Sequence, residues 1–251
     1  MTMLNISLQN EYVFTIFGLN ISNTFFTAVI VTLLLSALAY YCFRNLPKKN
    51  FVVEAFRVVV YEILTFIDSV TGDRELSKRI LPLVGTLFLF IVSANLIALI
   101  PGFLGSFYVM RSGGEVPLLR SPNSDLTITS ALALFTVVAM QIFSVRAHGV
   151  LGYIKRFIDL SGPIKLFTGF FELLSEITRI ISFSFRLFGN IFAGEILLLV
   201  IAFLVPYIIP VPFMIMEVFV GVIQAFVFAM LSITFTKIDT NSSGTAKGGV
   251  L

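Results

Sequence analysis

Residues 24–43, 81–100 and 126–145 are three stretches of twenty residues that contain no Asp, Glu, Lys or Arg. Hydrocarbon offers nothing to hydrogen-bond a backbone N–H or C=O. A single segment crossing it must therefore be an α-helix, which satisfies those groups internally. At 1.5 Å per residue, twenty helical residues reach about 30 Å, the thickness of a bilayer core. Each run predicts one membrane span. The rest of the composition agrees: 57% of residues are hydrophobic, only 12% are charged, and the mean hydropathy is +0.99. Soluble domains carry about 25% charged residues. Twenty-eight Phe and no Trp suit lipid-facing and helix-packing surfaces better than a solvent-filled cleft.

The segments between these runs read differently. Residues 1–23 are mixed, with Glu11 the only charge. Across 51–70, Val52, Phe56, Val59, Val60, Ile63, Ile67 and Val70 recur at helical spacing, opposite Glu54, Arg57, Tyr61, Thr65 and Asp68. That pattern predicts an amphipathic helix lying in the membrane interface. A polar stretch, Thr71 to Arg79, leads to the second span. Residues 103–125 are rich in Gly, Ser, Pro and Asn and read as an extramembrane loop. Arg146, His148, Lys155 and Arg156 mark another polar connection, where His148 reads as a solvated residue. Helical character then runs over 164–205, roughly 60 Å if helical throughout. Pro206, Pro210 and Pro212 mark a turn before a last helix over 213–235. Both are long enough to cross at a tilt. The expected fold class is all-α and polytopic: about five transmembrane helices, an interfacial helix and a long C-terminal hairpin. Residues 1–236 form one membrane domain, and 237–251 read as a disordered tail. No internal repeat is evident.

Basic residues orient the spans. Residues 1–23 have none, and the connection 44–80 has seven: Arg44, Lys48, Lys49, Arg57, Arg74, Lys78 and Arg79. The 101–125 loop has two and the 146–165 connection four. Positive charge is retained on the cytoplasmic side, so the N-terminus is expected outside and, after five spans, the C-terminus inside. The first Lys or Arg is Arg44, so no basic region precedes the first apolar run, and no cleavable signal peptide is expected.

Several chemistries lack their residues. Cys42 is the single cysteine and His148 the single histidine, which leaves no Cys/His metal site, no intrachain disulfide and no Ser/His/Asp triad. No Gly-rich loop ends in Gly-Lys-Ser/Thr, so the chain is not expected to hydrolyse or make ATP by itself. Its basic residues flank apolar spans instead of forming a nucleic-acid surface. No cofactor is implied.

The charges inside the apolar segments carry the functional signal. A charge at mid-bilayer costs about 2.5–3.5 kcal/mol on insertion scales, and such residues usually line ion or substrate pathways. The region 170–195 holds Glu172, Glu176, Arg179, Arg186, Asn190 and Glu195. On a helix, Glu172, Arg179, Arg186 and Asn190 fall within about 40° of one another, and Glu195 lies nearly opposite Arg186. Two polar faces on one helix are what two separate aqueous pockets need. Glu217 and Gln224, seven residues apart, share a face of the last helix. In an antiparallel hairpin Gln224 would approach Arg186, and Glu217 would approach Glu195. A guanidinium stays charged where a buried lysine could lose its proton. Arg186 can therefore act as a permanent cation that draws a mobile carboxylate into its ionised form and blocks direct proton passage. Asp125 reads equally as a helix-start carboxylate or as part of a pathway.

The stretch Ser184-Phe185-Arg186-Leu187-Phe188-Gly189-Asn190-Ile191-Phe192-Ala193-Gly194-Glu195 resembles the signature of subunit a of F-type ATP synthases. Matching segments are Asn95-Leu96-Ile97-Ala98-Leu99-Ile100-Pro101-Gly102, Pro122-Asn123-Ser124-Asp125-Leu126, His148-Gly149-Val150-Leu151-Gly152 and Gln224-Ala225-Phe226-Val227-Phe228. The resemblance implies a non-catalytic stator subunit of the membrane sector. It works against a ring of subunit c, with the subunit b peripheral stalk and the rest of the synthase as partners, in a bacterial plasma membrane. An organellar inner membrane is the alternative location. It implies Arg186 as the essential arginine facing the ring carboxylates, Asn190 and Gln224 as polar neighbours, Glu195 and Glu217 as the outer channel, and Glu172 at the inner exit. Many relatives pair one Glu with one His where this chain has Glu195 and Glu217. The alternatives are a sodium-translocating version of the same subunit and a secondary transporter, the latter disfavoured by the lack of a repeat.

Overall fold

The computed structural model describes residues 12–16, 19–46, 50–99, 108–111, 114–117, 120–157, 163–205 and 208–241. Six helices dominate it: α1 (Asn23–Arg44), α2 (Phe51–Thr71), α3 (Arg74–Leu99), α4 (Leu126–Phe157), α5 (Pro163–Leu204) and α6 (Pro210–Asn241). Five of them, all but α2, are long and apolar enough to cross a membrane. Two small antiparallel hairpins lie outside the helices. One pairs β1 (Tyr12–Ile16) with β2 (Leu19–Ser22), and the other pairs β3 (Tyr108–Arg111) with β4 (Gly114–Pro117).

Local chemistry sets the helix ends. Ser22 caps α1, its Oγ accepting from Phe25 N at 3.3 Å, and Arg44 complements the last turn. Gly72, at φ 69°, ends α2 in the left-handed conformation that a side chain disfavours. Asp73 then caps α3, accepting from Glu75 N at 2.9 Å. The polar stretch read as a lead-in to the second span, Thr71 to Arg79, therefore holds the end of α2, the turn at Gly72 and Asp73, and the start of α3 itself. Pro210 and Pro212 sit in the first turn of α6, where a missing N–H costs nothing, so the helix starts three residues before the expected 213.

Two connections differ from expectation. Helix α4 does not stop at Val145; it bends at Gly149 (φ 75°, ψ 163°) and resumes to Phe157. His148 is thus a half-buried helical residue, with Nδ1 3.0 Å from Ser144 O, and not a solvated loop side chain. Helix α6 runs on to Asn241, so the segment 237–241 is helical where a disordered tail was expected. Lys237 Nζ donates to Val70 O at 2.9 Å and Asp239 is fully buried, which holds this last turn. Residues 242–251 lie outside the described residues.

The helices contribute to two compact units. One comprises the described parts of Met1–Asn45, Leu89–Thr129 and Leu187–Ala225; the other those of Leu46–Phe88, Ser130–Arg186 and Phe226–Leu251. The second unit has an apolar core in which Ile67 of α2, Ile80 and Val84 of α3, and Ala229 and Ile233 of α6 are buried. Tilted ring pairs lie in the same unit, with Phe66 and Phe226 centroids 4.6 Å apart and Phe183 and Phe228 4.7 Å apart.

The first unit is tied by a polar chain. Asn123 Nδ2 donates to Asn95 Oδ1 at 2.7 Å, and Asn95 Nδ2 donates to Gly221 O at 3.0 Å. A carbonyl of α6 can receive that bond because Gly221 lets α3 come close. A Cβ there would lie 3.0 Å from Asn95 Cβ. Gly221→Val is expected to push α3 away, break the amide bridge and destabilise the protein by about 1–3 kcal/mol. Thermal unfolding of the purified protein in detergent, compared with wild type, measures this.

Candidate ion-pathway site

Helix α5 carries most of the ionisable residues, and the two units divide them. Asn190 and Glu195 fall in the first unit with Glu217, Gln224 and Asp125; Glu172, Glu176, Arg179 and Arg186 fall in the second.

In the first unit, Glu195 meets a partner that the sequence reading placed in a loop. Arg120 Nε lies 3.1 Å and 3.3 Å from the two Glu195 oxygens, and Nη2 lies 3.2 Å from Oε2. The side chains are only 10% and 11% exposed. A guanidinium and a carboxylate both leave water here, so each is compensated by a forked, charge-assisted contact. Arg120 is positioned by its own backbone, whose N–H donates to Thr27 Oγ1 of α1 at 3.3 Å. Residues 120–125 are all buried. The end of the expected extramembrane loop is therefore packed protein, a correction with a plain cause: Pro122–Ser124 forms a 3-10 turn whose side chains are taken into hydrogen bonds and packing.

Glu217 approaches the same place from α6. It is 5% exposed, and a Cβ added at Gly194 would collide with its carboxylate. The glycine before Glu195 thus seats Glu217 directly against the α5 backbone. Glu195 and Glu217 line a small cavity of about 20 Å³ together with Asn95 and Ser121, walled by Leu99, Ile191 and Leu198. That volume matches about one water molecule. The expected approach of Glu217 to Glu195 is present. Toward the middle of α5, Asn190 Nδ2 donates to Gln224 Oε1 at 2.5 Å.

Asp125 lies at the start of α4. Its Oδ1 accepts from Thr127 N at 2.8 Å, capping α4, and its Oδ2 accepts from Thr24 Oγ1 at 2.8 Å. The two bonds cap α4 and tie it to α1.

The second unit holds a buried ion cluster. Arg179 Nη1 lies 2.9 Å from Glu176 Oε1 and 2.8 Å from Asp239 Oδ2, and its guanidinium carbon sits 4.4 Å from the centroid of the Phe235 ring. Glu172 joins Glu176 and Asp239, with carboxylate oxygens of all three within 4.8 Å of one another. Arg179 supplies the opposite charge that lets these acids gather. Ser144 Oγ donates to Asp239 O at 3.2 Å, tying α4 to the same turn.

Arg186 is half-buried and donates from Nη2 to Ser182 Oγ at 3.0 Å. It lines a groove of about 410 Å³ with Arg179, Ser175, Thr178 and Ser182. Ser175, Arg179, Ser182 and Arg186 recur every three or four positions on α5, with Thr178 beside Arg179, so hydroxyls and guanidiniums form one wall of a groove that Leu231 and Phe235 of α6 also line. Among the described residues, no acidic side chain forms an ion pair with Arg186.

Sequence reasoning did not single out Arg120, Ser121 or Asp239. Arg120 looked like one of two loop cations, and Asp239 like the start of a polar tail. Only packing reveals that both are buried. One signal was available: a basic residue two positions before the Pro-Asn-Ser-Asp stretch lies close in sequence to the next span.

Comparison with known proteins places this arrangement in context. A family model described as ATP synthase A chain matches residues 24–237. ATP synthase subunit a of Moorella thermoacetica is 34% identical over 213 residues, covering 83% of this chain and 86% of that protein. ATP synthase subunit a of Helicobacter pylori strain P12 is 34% identical over 231 residues, covering 89% and 93%. That of Citrifermentans bemidjiense is 38% identical over 163 residues, covering 65% and 64%.

Asp239→Asn is expected to leave Arg179 with one carboxylate in place of two and to cost about 3 kcal/mol, the low end for breaking a buried pair because Glu176 stays. A wild-type melting temperature for the variant complex would show that Asp239 is dispensable to the cluster.

Proposed function

We propose that this chain, which belongs to the ATP synthase A chain family, provides two proton half-channels and a fixed arginine that couple proton flow to rotation of a subunit c ring. The family and the five long apolar helices make it a membrane protein of the F-type ATP synthase.

Protons enter from outside through the first unit, by way of Glu195 and Glu217, and pass to a ring carboxylate. Asn190 and Gln224, hydrogen-bonded to each other, line the approach. Asp125 holds the scaffold of this unit in place. The ring turns almost a full revolution in the membrane. At Arg186 the returning carboxylate meets a cation that cannot be neutralised and gives up its proton. The proton leaves along the hydroxyl-lined groove of the second unit toward Glu172. Each charge crossing 100 mV releases about 2.3 kcal/mol, so several steps are needed per ATP.

The observation that carries this proposal is the groove containing Arg186. A buried arginine kept for stability would be expected to resemble Arg179, enclosed by carboxylates and a ring. Arg186 instead has a serine hydroxyl at 3.0 Å and lines an accessible groove. Nearby, Ile181 and Phe185 are 51% and 57% exposed. An apolar face of this kind suits the ring or lipid. The peripheral stalk subunit b, an outside N-terminus, a cytoplasmic C-terminus and a bacterial plasma membrane complete the proposed setting.

Arg186→Ala is expected to abolish proton-driven ATP synthesis in reconstituted vesicles and to leave a passive proton leak; full synthesis by that variant refutes the role. Glu195→Gln is expected to slow proton uptake from the outside, and an unchanged flux removes Glu195 from the pathway. An acid pulse with and without sodium separates proton from sodium coupling in the same vesicles.

A further inference from the structure

The route above makes no use of Ser121. Its side chain lines the cavity shared by Glu195 and Glu217, the residue is 2% exposed, and its Oγ has no hydrogen-bond partner among the described residues. A buried hydroxyl left unpaired costs about 1–3 kcal/mol, and such groups are ordinarily met by ordered water. The cavity of about 20 Å³ is large enough for one water and, needing about 10–15 Å³ for each, scarcely larger. Its polar lining matches the number of partners a buried water takes: one hydroxyl and two carboxyl groups.

The other polar groups nearby are committed elsewhere. Asn95 accepts from Asn123 and donates to Gly221 O. Arg120 occupies Glu195 from the side of the chain that precedes α4. A hard metal cation needs several oxygen ligands at once. Here one carboxylate is held by a guanidinium, and the space admits one small molecule.

We propose that Ser121 is a positioning residue of the outer half-channel, its hydroxyl anchoring one water that bridges Glu195 and Glu217, so that the site relays protons and excludes metal cations. This deepens the outer pathway proposed above and rests on it. In the relay, a proton arriving from outside is taken up by the Glu195 carboxylate and handed to the water oxygen while the same water gives another proton to the Glu217 carboxylate, so that Glu195 returns to its ion pair with Arg120. The water is regenerated, and Ser121 keeps its own proton throughout. A hydroxyl at this point fixes the water within hydrogen-bond reach of both acids, the geometry that proton transfer through one water requires.

The test uses the whole ATP synthase in vesicles driven by an external acid pulse. Ser121→Ala is expected to lower the initial rate of ATP synthesis about tenfold, a modest share of what a positioned proton-transfer group contributes. Ser121→Thr, which keeps the hydroxyl, is expected to stay near wild type. On a Glu217→Gln background, Ser121→Ala is expected to add no further loss, since both act on one step. A wild-type rate for Ser121→Ala, or losses that multiply in the double variant, overturns the proposal.

If Ser121→Ala lowers the amount of assembled synthase, Ser121→Cys on a Cys42→Ala background replaces it. Silver ion is then expected to block proton flux, and insensitivity to silver overturns the proposal. Replacing external potassium with sodium is expected to leave the wild-type rate unchanged, and a sodium requirement overturns the exclusion of metal cations. Full synthesis by Arg186→Ala would instead bring down the stator proposal. Loss with Arg186→Ala alongside wild-type behaviour of Ser121→Ala removes only the water relay.

Discussion

A charge taken out of water must find its compensation inside the protein, and in this chain nearly every ionisable group on the long helices shows how. Glu195 is clamped by Arg120, and Arg179 is enclosed by Glu176, Asp239 and the Phe235 ring. The desolvation cost of such groups runs to several kcal/mol each, which a partner at hydrogen-bond distance offsets. Against that background, Arg186 stands apart. It is a cation on the same helix that meets a serine hydroxyl and lines a groove. The proposed coupling follows from this contrast, because a cation with no carboxylate paired to it among the described residues is able to receive a moving one.

Close backbone approach makes the first cluster possible. Gly194 leaves room for the Glu217 carboxylate against α5, and Gly221 leaves room for Asn95 against α6. Between them, two glycines and one amide bridge bring carboxylates from separate helices to a cavity the size of a water molecule. A methyl group at either position would meet an atom already there. Helix association in lipid relies on such small residues, since hydrocarbon tails compete with any apolar contact.

The second cluster uses a different device. Its acids gather because Arg179 stands among them, and the last turn of α6 is helical because Asp239 and Lys237 both find partners there. A polar tail sequence, Lys-Ile-Asp-Thr-Asn, is thereby drawn into a membrane helix. Its own propensity favours solvent, and tertiary contacts override it.

The spans, the long hairpin and the identity of Arg186, Glu195, Glu217, Asn190 and Gln224 as the unusual residues were legible in the sequence. An apolar run of twenty residues has one way to cross a membrane, and a charge within such a run stands out by its cost alone. The pairing of those residues was not legible, apart from the approach of Glu217 to Glu195. Arg120, Ser121 and Asp239 sit in stretches whose composition is that of ordinary polar connections, and nothing local distinguishes a solvated side chain from a buried one. Burial depends on which distant segments close over a residue: Thr27 meeting the Arg120 backbone, or Ser144 meeting Asp239. Sequence therefore determined what must cross the membrane and which charges are anomalous. Only the packing of distant helices decided which of those charges are neutralised by a neighbour and which one is left facing an open groove.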